Sequence, residues 1–103
     1  MKDTRTNLQQ NKANIYKACL ISVYQKRNEL SPYELTKEIT QLDATAHWMH
    51  SADEKPIDWA QQTAAAFYRG AVIDDKFTDQ FNQDFTKALN WLVKLRPSLK
   101  EAA

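Results

Sequence analysis

One glycine, Gly70, occurs in the whole chain of 103 residues. Sandwiches and barrels of short strands need many turn residues that accept positive φ, so a chain this poor in glycine is expected to be built from helices. The apolar periodicity agrees. From Leu8, the residues Ile15, Tyr16, Cys19, Leu20, Val23 and Tyr24 recur at spacings of three and four. They define one face of a helix reaching Glu29, with Lys12, Lys17, Lys26 and Arg27 on the other face. Residues 1 to 7 are polar and aperiodic, which reads as a frayed start with Asn7 as an N-cap.

Ser31-Pro32-Tyr33-Glu34 is the clearest helix start. Serine caps, proline is preset for the first helical position, and glutamate reaches back to the cap amide. The second helix then runs from Pro32 to about His50 to Ala52, with Leu35, Ile39, Leu42, Ala46 and Met49 as its buried stripe. The polar segment Ser51 to Pro56 is a loop. A third helix over Ile57 to Arg69 carries Trp59, Ala60, Thr63, Ala64, Phe67 and Tyr68, with Pro56 in its first turn and Gly70 as its stop. Residues 71 to 75 connect to a fourth helix, whose face is Phe77, Phe81, Phe85, Ala88, Leu89, Leu92 and Val93 and which is expected to end before Pro97. The tail from Ser98 to Ala103 is expected to be loose. The fold class is therefore all-α: four amphipathic helices in a single bundle-like domain spanning residues 1–103.

Composition narrows the functional classes. Fourteen Lys and Arg against thirteen Asp and Glu give a net charge of +1, so no strong field draws the molecule to nucleic acid or anionic lipid. The polar opening lacks the apolar core of a signal peptide and no apolar run is long enough to span a bilayer. As written, the chain reads as cytoplasmic, with no membrane association. An initiating Met can also mark where a removed signal peptide ended.

Candidate chemistry is sparse. Asp43, His47 and His50 share one side of the second helix and have the types and spacing of metal ligands, but no further ligand pair appears on another helix. They are read as ordinary surface residues, with no metal and no cofactor expected. Cys19, the single cysteine, falls in the predicted buried stripe and is read as a small apolar group, not a nucleophile. Phosphate-cradling loops need more than one glycine. The chain is accordingly read as non-enzymatic. Two tryptophans stand off the predicted stripes: with Met49 inward Trp48 points partly outward, and Trp91 departs from the Ala88 and Leu92 face. Exposed tryptophan is a common interface anchor. Val72, Ile73, Asp74 and Asp75 place two apolar residues beside two acids in a connection where small polar residues are usual. These six residues are the candidate partner-binding set, the alternative for Val72 and Ile73 being that they tuck beneath the bundle.

Together, the chain length, the Tyr16-Lys-Ala-Cys19-Leu20-Ile-Ser-Val-Tyr24 pattern, the aromatic and acidic mix from Asp43 to Trp48, and Phe67-Tyr68-Arg69 before an irregular loop resemble one family. It is that of the small helical immunity proteins paired with peptidoglycan amidase effectors of type VI secretion. The resemblance covers roughly residues 8 to 95. It implies a periplasmic protein, often dimeric, that blocks the catalytic Cys-His cleft of its amidase with a protruding loop, for which Gly70 to Lys76 is the best match. Two features depart from the family: Cys19 has no cysteine partner, and the sequence does not begin with a signal peptide. The alternative is a cytosolic regulator of phage or plasmid type, acting on a nucleic-acid complex through the face carrying Lys12, Lys17, Lys26 and Arg27.

Overall fold

The computed structural model describes the backbone of residues 4–69 and 75–102, and side chains over residues 9–67 and 79–96. The chain is all-α, with the order α1 (Thr4–Gln25), a short 3-10 turn (Arg27–Glu29), α2 (Pro32–Met49), α3 (Asp58–Arg69) and α4 (Asp75–Ala102). Helix α1 is the hub: it packs against α2, α3 and α4, and α2 also meets α3. Its burial follows from that position. Ala18, Cys19, Leu20 and Ile21 are consecutive and all fully buried, as is Val23. Successive residues on a helix are about 100° apart, so four in a row face every direction. This corrects the expectation of one apolar and one basic face, because a helix enclosed by three others is apolar all round at its middle.

The start of α1 also differs. Thr4 is already helical, so Asn7 lies inside the helix and is not its cap. The predicted start of α2 is present in full: the Glu34 amide donates to Ser31 Oγ at 3.2 Å and the Ser31 amide to Glu34 Oε1 at 3.1 Å. The hydrogen bond from the Ser31 backbone amide first, and the Ser31 side chain after it, hold the Glu34 carboxyl below its ordinary range. The buried residues of α2 are Ile39, Leu42, Thr45 and Trp48. Three-residue steps fall short of a full turn, so this stripe winds round the helix instead of running straight along it. Leu35, Ala46 and Met49 are only half-buried. Thr45 joins the core because its hydroxyl donates to the Gln41 carbonyl at 2.9 Å, leaving no unsatisfied donor.

Helix α3 begins one residue later than expected, with the Gln61 amide donating to the Ile57 carbonyl at 3.0 Å and Pro56 just outside. Its buried residues are Ala60 and Ala64, one turn apart. Small side chains let α3 approach α1 closely, and Cys19 Sγ lies 3.6 Å from the Ala60 carbonyl. On α4, Phe81, Ala88 and Leu92 are buried, and Phe81 meets Phe67 of α3 with ring centroids 5.7 Å apart. Leu89 and Val93 are on the exposed side, against expectation, with Val93 60% exposed. Helix α4 also continues through Pro97 to Ala102, where the sequence suggested a stop. An interior proline forfeits the hydrogen bond to the carbonyl four residues back, but its fixed φ is helical. The Gly70 stop and Phe77 lie outside the residues whose placement or side chains are described.

Candidate functional site

The six candidate partner-binding residues do not form one site. Val72, Ile73 and Asp74 lie outside the described residues, and Asp75 is the first residue of α4, not part of a loop. Trp48 is 5% exposed, a correction to its expected outward position. The winding stripe of α2 turns Trp48 inward and leaves the neighbouring Met49 half-buried. Trp91 is half-buried and packs edge-on against Tyr24, with ring centroids 5.6 Å apart at 63°. The tryptophans meet α1 at Lys12 and at Tyr24, positions about 18 Å apart along the helix axis.

The four cations of the α1 region are each engaged within the fold. Lys12 is 3% exposed and donates from Nζ to the carbonyls of Trp48 at 3.4 Å and Ser51 at 2.9 Å. Its ammonium also lies 4.9 Å from the centroid of the Trp48 ring, a cation–π arrangement. Lys12 thus compensates the negative end of the α2 dipole. Lys17 Nζ is 3.4 Å from Asn82 Oδ1 and 5.2 Å from the Phe85 centroid, tying α1 to α4. Lys26 pairs with Glu38 Oε1 at 3.4 Å. Arg27 donates to the Tyr24 carbonyl at 2.7 Å and lies 3.9 Å from the centroid of that ring. The basic face expected from the sequence is therefore a set of links between elements.

Asp43, His47 and His50 are all exposed. Asp43 is engaged by Arg96 of α4 through two hydrogen bonds, at 2.6 and 3.4 Å, and these raise the guanidinium pKa further above its ordinary value. His50 caps α2, its amide donating to the His47 carbonyl at 3.2 Å. Among the described residues, no group of three acidic, histidine or cysteine side chains is placed to hold a metal ion. Cys19 is fully buried, and burial pushes its thiol up to about 12, with the Ala64 backbone amide opposing and Glu38 adding. A thiol held protonated in this way is a poor nucleophile at neutral pH.

Two clefts flank the C-terminal end of α2, a feature that periodicity could not reveal because it arises where a helix end, a loop and a neighbouring helix meet. One, of about 660 Å³, lies against α1 and is lined by Gln9, Lys12, Ala13, Met49, His50 and Ala52, with Ser51. The other, of about 780 Å³, lies toward the start of α3 and includes His47, Trp48, Asp53, Lys55 and Asp58. Ser51 borders both, its hydroxyl donating to the Trp48 carbonyl at 2.6 Å. The Trp48 indole Nε1 is buried without a hydrogen-bond partner among the described residues. Among the described residues no helix is long and apolar enough to cross a membrane.

Compared with protein-family models, curated proteins and solved structures, the chain matches none of them.

Proposed function

We propose that the protein is a non-enzymatic inhibitor that binds an enzyme partner and occludes its active site, as the immunity proteins of amidase effectors do. The occluding element in this reading is the segment from Gly70 to Lys76. It leads from Arg69, the last residue of α3, into α4, which begins at Asp75. Val72 and Ile73 supply apolar contact, while Asp74 and Asp75 suit a cationic or imidazole group in the partner's cleft. Such a protein acts in the periplasm and can do so as a dimer.

The observation that carries this reading over a nucleic-acid regulator is the engagement of Lys12, Lys17, Lys26 and Arg27 in contacts within the chain. A nucleic-acid backbone is held by cations standing on an open face, whereas the Lys12 ammonium is set back in the wall of a cleft. Support for a protein partner also comes from Leu89 and Val93, an apolar pair one turn apart on the outer side of α4.

The test is capture with tagged protein from lysate and periplasmic extract of the source cell, with nuclease and moderate salt, followed by a hydrolysis assay of the captured enzyme. The expected result is one hydrolase at fixed stoichiometry, inhibited by the wild-type chain and not by the double variant Ile73→Asp, Asp74→Lys. Recovery only of nucleic-acid-associated proteins that disappear on nuclease treatment would overturn the reading.

A further inference from the structure

An ionised side chain that leaves water needs a counter-charge or a full set of hydrogen bonds, because desolvating the charged form is costly. Lys12 is almost wholly removed from solvent, yet its partners are two carbonyls and an aromatic face. An ammonium has three N–H donors, and carbonyl dipoles offset its charge only in part. Among the described residues, no carboxylate pairs with it: the ion pairs there are Lys26 with Glu38 and Arg96 with Asp43. Among the described residues, a formal positive charge therefore stands at the wall of the 660 Å³ cleft without a formal negative one.

The rest of that cleft is suited to an apolar body. Ala13, Met49 and Ala52 line it beside Gln9 and His50. Its size falls within the roughly 300 to 1,000 Å³ usual for small-molecule sites, which combine apolar walls with a few polar groups. We propose that this cleft binds a small organic monocarboxylate with an apolar body. The carboxylate pairs with the Lys12 ammonium and the body lies against Ala13, Met49 and Ala52. A single cation suits one negative charge, whereas a phosphate dianion calls for more donors. The adjoining cleft sets Asp53 and Asp58 against a single cation, Lys55, and so disfavours the same ligand. The inference is independent of the inhibitor reading, since no residue of the Gly70 to Lys76 segment takes part.

The experiment is an NMR titration of the ¹⁵N-labelled full chain with 3-phenylpropionate, with its uncharged counterpart 3-phenylpropanol, and with inorganic phosphate. The expected result is saturable shifts at the amides of Ala13, Met49 and Ala52, with the acid bound at least about tenfold more tightly than the alcohol. Lys12→Met should abolish that preference while keeping the apolar stem. If this variant does not fold, the comparison of acid and alcohol on the wild-type chain decides alone. Equal binding of acid and alcohol, shifts elsewhere on the protein, the absence of saturation, or phosphate acting as strongly as the acid would each overturn the proposal.

Discussion

Arg96 of α4 grips Asp43 of α2 with both arms of its guanidinium, the shorter bond being 2.6 Å, across the bundle from helices that otherwise meet mainly through α1. Both side chains are about half exposed, so water and salt screen the pair. Asp43→Asn and Arg96→Gln should each lower stability by less than about 1 kcal/mol in urea unfolding. A double-mutant cycle should give a coupling that shrinks in high salt. A coupling well above that size would mean the pair is shielded from solvent and clamps α4 to α2.

Alkaline pH should destabilise the fold. Burial raises Cys19 from 9.0 to about 12, and burial, opposed by Arg96 and reinforced by Asp43 and Cys19, also raises the Tyr16 phenol. A raised folded-state pKa gives stability that is complete below the unfolded value and lost as pH climbs toward the folded one. Urea midpoints should therefore hold to about pH 9 and then fall toward pH 12. In Cys19→Ala the fall should be shallower, though not absent, because Tyr16 titrates in the same direction. A wild-type chain with unchanged midpoints between pH 9 and 11 would contradict the burial of both groups.

Trp48 provides a sharper test, since an outward interface anchor and a core residue respond differently to truncation. At 5% exposure, Trp48→Ala should cost about 3 to 5 kcal/mol, as large aromatic deletions in cores do. A loss below about 1 kcal/mol would return the indole to the surface.

Adjacent positions on α4 should behave oppositely. Leu92 is 2% exposed and Val93 faces solvent. Leu92→Glu should unfold the domain by burying an unpaired charge, whereas Val93→Glu should change stability by less than about 0.5 kcal/mol. Circular dichroism during thermal melting distinguishes the two. Similar melting of both variants would show that the register of α4 on α1 is wrong.

The all-α class and the Ser31 to Glu34 start of α2 were legible in the sequence because both depend on local chemistry. A capping box needs only residues three apart, and helical periodicity needs only one buried side. What could not be read was the context from neighbouring helices. The enclosure of Ala18 to Ile21 depends on three partners, and Thr45 and Trp48 are buried because the contact winds around α2. Sequence alone makes Lys12 a solvent-facing cation, whereas the end of α2 covers it and accepts its hydrogen bonds. The candidate site suffered more. Of its six residues, Trp48 proved internal and Trp91 half-buried against Tyr24, because an interface anchor and a core aromatic look alike without tertiary neighbours.

The enclosure of α1 has a further consequence for how the chain accepts sequence change. Most helices at a protein surface tolerate substitution in a wave that repeats with every turn, permissive toward solvent and restrictive toward the core. Between Ala18 and Val23 only Ser22 escapes full burial, so a saturation scan of this segment should show an almost unbroken band of intolerance, while α4 retains the wave. Divergent variants of the fold would then differ most along the outer side of α4 and least in the middle of α1, making that short stretch the place where the architecture leaves its most persistent imprint.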